Sequence, residues 1–117
     1  MEEIKDRFGE RATVAASEIK EMLKQHGDKK IGEITLAQVY QGMRGMTGLV
    51  TETSLLDAQE GIRFRGFSIP ELQDKLPKVE GGDEPLPEGL FYLMMIGELP
   101  NDRDVKKIVG VKYLELH

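Results

Sequence analysis

A mainly α-helical fold carrying one small β-hairpin is the class this sequence predicts, and three patterns carry the prediction. Apolar residues near the N-terminus recur at steps of three and four, the spacing of one helix face. Helix-start signatures recur farther along, and one stretch, IRFRG, alternates apolar and charged residues at the period of a half-buried strand. At 117 residues the chain is one domain's worth of polypeptide, enough for a modest core.

The first helix is written by Ile4, Phe8, Ala12, Ala15, Ile19 and Met22, one apolar stripe among charged faces. It is expected to stop at HGD, where Gly27 can adopt the left-handed conformation that closes a helix. His26 then sits at the negative end of the helix dipole, where a capping role is favoured over a ligand or catalytic one. After the extended KKIGEI, Thr35 and Gln38 form a capping box, and Leu36, Val39, Tyr40 and Met43 give a second, shorter helix its apolar face. Gly42, Gly45 and Gly48 erode that helix, each costing about 1 kcal/mol relative to alanine, so it should end near Arg44.

Residues 49–66 read as the β-hairpin. Asp57 and Gly61 suit its turn, and Ile62 and Phe64 alternate with Arg63 and Arg65, whose face points to solvent or to another part of the protein. Ser68, Pro70 and Glu71 start another short helix, which Pro77 stops. A Gly-, Pro- and acid-rich loop follows, then Pro87 and Glu88 open PEGLFYLMMIG, a helix with almost no polar face that must be wrapped on most sides. Met94 and Met95 suit irregular core gaps there. Asn101 caps a last helix, with Asp102 and Asp104 near its positive end, and Gly110 weakens the helical pattern in the final residues.

The formal charge of −5 and the absence of a concentrated basic face argue against nucleic acid as a partner. No apolar run approaches the roughly 20 residues of a membrane-spanning helix. The chain has no cysteine, so neither a disulfide framework nor a thiolate metal site is available, and no His/Asp/Glu spacing matches a zinc or EF-hand template. MEEIKDRFGE is acidic, unlike a signal or transit peptide. The expectation is a soluble protein of the bacterial cytoplasm, the alternative being the mitochondrial matrix with the transit peptide absent from this chain.

The motif search returns no catalytic centre. GMRGMTG is neither a Walker loop nor a dinucleotide loop. Its glycines follow a helix, so the negative end of the dipole faces them, and any anion held there must be met by the side chain of Arg44. The competing reading of Arg44 is a surface arginine near a helix C-terminus, worth about 0.3–1 kcal/mol.

The segments QHGDKKIGEIT, GMRGMTGLVTETSLLDAQEGIRFRGFSIPELQDKLP and GGDEPLPEGLFYLMMIGELP resemble the N-terminal region of citrate synthase, of the type found in mitochondria and some bacteria. The resemblance runs in register over roughly residues 25–100. It implies that residues 1–109 are the N-terminal part of a citrate synthase-like large domain, mainly α with the small hairpin, and that the tail 110–117 does not match. It further implies a homodimeric parent enzyme that condenses acetyl-CoA with oxaloacetate and water to give citrate and CoA, with no permanently bound cofactor and no metal. The family's catalytic histidine and aspartate have no counterpart here, so the resemblance assigns no catalytic residue and the chain alone is expected to be inactive. The one residue that transfers is Arg44, in GMRGM, where the family meets a phosphate of CoA. A planar, permanently charged guanidinium suits that contact. The alternative is a non-catalytic fragment or interaction module that keeps the Arg44 loop.

Overall fold

The computed structural model describes residues 2–115, with side chains for residues 3–110. Its elements run α1 (Glu2–His26), α2 (Leu36–Tyr40), β1 (Ser54–Asp57), β2 (Gly61–Phe64), β3 (Phe67–Ser68), α3 (Ile69–Lys75), α4 (Pro87–Ile96) and α5 (Asp102–Glu115). The mainly α class with a small antiparallel sheet is therefore what the sequence forms. The chain divides into two compact units, one made of Met1–Thr13 with Thr51–His117 and the other of Val14–Val50. The division has a physical basis: no residue from Val14 to Val50 is buried, so this stretch has no core of its own to share.

In the first unit the sheet has the order β1-β2-β3, all antiparallel. β1 pairs with β2 from Ser54 opposite Phe64 to Asp57 opposite Gly61, and the hairpin is thus shorter than residues 49–66. Arg65, at φ 50°, and Gly66, at φ 88°, turn the chain after β2. Residues 67–68 are thereby folded back as β3 instead of extending the pairing toward Leu49. Ser68 then caps α3 with the expected box: its hydroxyl accepts from the Glu71 N–H and the Glu71 carboxylate accepts from the Ser68 N–H. The residue before Pro77, Leu76, is extended at ψ 146°, as proline requires of its predecessor, and α3 ends there.

α4 organises the core. Leu93 and Tyr92 are fully buried, Ile96 nearly so, and they face two clusters. Ile4, Tyr92, Ile96 and Ile108 form one, while Leu72, Leu76 and Leu93 form the other, with Phe64, Phe67 and Leu90 packed against it. Gly89, in the first turn of α4, lies against Leu76, Pro77 and Val105, close enough that an added Cβ would touch the Leu76 side chain at 3.4 Å. The wrapping is incomplete, because Phe91 remains 46% exposed. Asn101 caps α5 through a reciprocal pair with Asp104, and the helix runs on through Gly110 to Glu115. The side chains of the tail 111–117 lie outside the described residues.

In the second unit α2 is five residues long and carries the expected box between Thr35 and Gln38. It ends at Tyr40, earlier than the expected Arg44, because Gly42 already enters the left-handed region at φ 74°. At the end of α1, Gly27 is not left-handed. Its N–H donates to the Leu23 carbonyl at 2.8 Å, and an added Cβ would lie 2.4 Å from that oxygen. Close approach, not handedness, explains the glycine.

Candidate functional site

Arg44 lies in the loop that follows α2, and the loop is built from backbone geometry that few residues adopt. Gly42, Met43 and Gly45 all have positive φ, of 74°, 64° and 72°. For Met43 this is strained, since only glycine visits the left-handed region freely. Local hydrogen bonds hold the bend: Met43 N–H donates to the Gln38 carbonyl at 2.8 Å and Met46 N–H to the Met43 carbonyl at 3.2 Å. Gln38 thus serves both the cap of α2 and the loop. Arg44 itself is exposed and makes no hydrogen bond or ion pair among the described residues. A guanidinium is permanently charged and carries a planar fork of donors, the chemistry that suits an anion such as a phosphate.

The two other arginines singled out by the strand pattern are engaged within the first unit. Arg63 donates to the Glu60 carboxylate at 3.1 Å and to the Gly66 carbonyl at 3.0 Å, tying the hairpin to the β2–β3 corner. Arg65 turns inward and donates to the Met94 carbonyl at 2.7 and 3.2 Å, satisfying an orphan acceptor at the end of α4. Gly97, left-handed at φ 87°, closes the same helix end beneath that guanidinium. Of the alternatives open for this face, Arg63 stays at the surface and Arg65 braces the protein.

A third arginine was not singled out by the sequence. Arg7 donates to the Tyr92 hydroxyl, pairs with Glu98 at 3.3 Å and lies over the Tyr92 ring at 5.7 Å. Arg11 also pairs with Glu98, and Lys107 with Glu3. Its signal was invisible because Arg7 and Tyr92 stand 85 positions apart. These pairs fasten the first turns of α1 to α4, to Glu98 just beyond it and to α5.

Acid–base machinery is not assembled among the described residues. His26 is exposed at the end of α1. The carboxyls with lowered pKa owe it to structural partners: Glu3 to Lys107, Asp57 to the N–H groups of Glu60 and Gln59, Glu71 to the N–H of Ser68. No group of three or more His, Asp or Glu residues could hold a metal among the described residues, and no helix there is long and apolar enough to cross a membrane.

Mitochondrial citrate synthase of Saccharomyces cerevisiae is 55% identical over 105 residues, 90% of this chain. The swordfish Xiphias gladius enzyme of the same name is 53% identical over 87% of the chain. Over nine-tenths of its length, this chain is citrate synthase-like. A mitochondrial 2-methylcitrate synthase of Yarrowia lipolytica is 53% identical over 88% of the chain. The chain spans about 22% of the length of these citrate synthase relatives. No protein-family model matches it. The relatives also correct one expectation: they are mitochondrial proteins of eukaryotes, which overturns the assignment to a bacterial cytoplasm.

Proposed function

We propose that this chain is a segment of a mitochondrial-type citrate synthase, whose whole protein condenses acetyl-CoA with oxaloacetate and water to give citrate and CoA as a homodimer. The observation that carries the proposal is the 55% identity over 90% of the chain. Residues 1–109 belong, on this reading, to the enzyme's large domain, and 110–117 lie outside the likeness. The acid–base residues that generate the acetyl enolate lie in the rest of the polypeptide. This stretch supplies scaffold, and one ligand contact through Arg44.

Arg44 meets a phosphate of the CoA nucleotide. Its exposure, its lack of a partner among the described residues and its strained, hydrogen-bonded loop support that role, because a guanidinium held out from the fold needs no internal bond broken to bind an anion. The 2-methylcitrate synthase relative is about as similar as the citrate synthases, at 53%. The choice of acyl chain therefore belongs outside this segment, and the Arg44 loop reads the part of the thioester that both reactions share.

The test uses a chimera: the yeast enzyme with its matched 105 residues replaced by the corresponding stretch of this chain. We expect it to release CoA from acetyl-CoA only when oxaloacetate is present. Arg44→Ala in that chimera should raise KM for acetyl-CoA by about tenfold or more, the worth of a charge-assisted hydrogen bond, with kcat within about twofold. An unchanged KM removes the phosphate role. An inactive chimera that folds like the yeast enzyme removes the citrate synthase reading.

A further inference from the structure

Gln38 stands apart in α2. Leu36 and Val39 are apolar and exposed, whereas Gln38, polar and uncharged, is the one half-buried residue of that helix. A polar side chain is covered without cost only where its hydrogen bonds are kept. The Gln38 side-chain oxygen keeps one by accepting from the Thr35 N–H at 2.9 Å. That bond fixes which end of the amide is which, because only the oxygen can accept from an N–H. The NH2 end lies on the other side, against the loop: a Cβ built on Gly45 would meet it at 3.7 Å.

Gly45 belongs to the turn that carries Arg44. The Met46 N–H donates to the Met43 carbonyl at 3.2 Å and closes four residues, with Arg44 second and Gly45 third. Gly45 has φ 72°, and a positive φ at the third position is what a type II turn requires. Gln38 meets this turn twice. Its carbonyl accepts from the Met43 N–H at 2.8 Å, and its side-chain amide rests beside Gly45. One residue of α2 thus supports the backbone on both sides of Arg44.

We propose that Gln38 is a positioning residue for Arg44: it sets the turn from which the guanidinium reaches a phosphate, and so lowers KM for the acyl-CoA substrate. The proposal rests on the reading of Arg44 as a CoA phosphate contact. A turn held in place before binding loses less freedom on binding, and that saving appears as affinity. The residue type fits the role. The third position of a capping box takes Glu or Gln, and Gln closes the box without placing a carboxylate beside the residue that meets an anion.

Thr35 supplies the control. Its hydroxyl accepts from the Gln38 N–H at 3.2 Å, so Thr35→Ala weakens the same cap while leaving the Gln38 side chain in place. In the yeast chimera, Gln38→Ala should raise KM for acetyl-CoA about fivefold with kcat within about twofold. Thr35→Ala should leave KM within about twofold of the unchanged chimera. Gln38→Ala combined with Arg44→Ala should raise KM no further than Arg44→Ala alone, since the turn matters only while it carries the guanidinium.

An unchanged KM in Gln38→Ala, beside an Arg44→Ala that raises it, overturns the inference and leaves the phosphate reading standing. An unchanged KM in Arg44→Ala removes that reading and the inference with it. Equal rises from Gln38→Ala and Thr35→Ala assign the effect to the cap of α2 and overturn the inference. Additive effects in the double variant overturn it as well, because Gln38 would then act apart from Arg44. So does a kcat that falls as far as KM rises, the mark of a general loss of structure.

Discussion

Asp57 shows how one carboxylate can set a turn. It accepts from the N–H groups of Gln59 and Glu60, each at 2.8 Å, and these bonds hold its carboxyl below the ordinary value of 3.8. A depressed folded pKa means that the ionised form is the one the fold favours. Its contribution is therefore fully present above the ordinary value and disappears as the pH falls through the lower, folded one. Asp57→Asn keeps an acceptor for the turn and removes the titration. Urea unfolding at a series of pH values should show the variant losing less stability than the parent chain as the pH drops below about 4, with Glu3 and Glu71 maintaining part of the slope in both. Parallel pH profiles would show that Asp57 stabilises nothing through its charge. The turn was legible in the sequence because its bonds span two and three positions. Arg65 was not, because its acceptor, the Met94 carbonyl, is 29 positions away and nothing in GIRFRG marks which arginine will turn inward. Arg44 was legible as a charge in a glycine-rich bend, but the role proposed for it came from resemblance and not from spacing.

At the scale of elements, the starts of helices were easier to read than the ends of strands. The boxes at Thr35, Ser68 and Asn101 all form, since each is a bond between residues three apart. The sheet was harder. β3 is two residues long and runs directly into the cap of α3, so no alternation could announce it, and the hairpin stops where Arg65 and Gly66 turn left-handed. The equivalent boxes at Thr35 and Ser68 also sit in different surroundings, which separates their energetic weight. α3 contributes Leu72 to a buried cluster, whereas α2 buries nothing. Ser68→Ala should therefore lower the stability of the first unit by about 1 kcal/mol, measured from protection of the Leu93 amide against hydrogen exchange. Thr35→Ala, the same chemical change, should leave the Leu93 amide unaffected. Equal effects from the two would mean that α2 is coupled to the core by contacts absent from this structure.

For the whole molecule, the distribution of burial decides what the chain can do on its own. The buried residues, Leu93 and Tyr92 foremost, belong to the first unit, and the stretch Val14–Val50 has none. Stability follows burial, so opening should be local and nearly free in the second unit and close to global in α4. Hydrogen exchange should show amides of residues 28–50 exchanging within roughly tenfold of unfolded rates, and those of Tyr92 and Leu93 among the slowest. Uniform protection would contradict the division. The consequence reaches Arg44, which belongs to the weakly held unit. A phosphate contact gains affinity only if its loop is already ordered, because ordering rotamer-rich side chains on binding costs about 0.5–1.5 kcal/mol each. The isolated chain should accordingly bind CoA with a Kd above about 1 mM by calorimetry, near the floor for a single exposed contact. The folded chimera should bind at least about tenfold more tightly, with Arg44→Ala reducing the gap. If the free chain instead bound as tightly as the chimera, its loop would have to be held by residues 1–117 alone, and the lack of burial from Val14 to Val50 would be the wrong guide to its order.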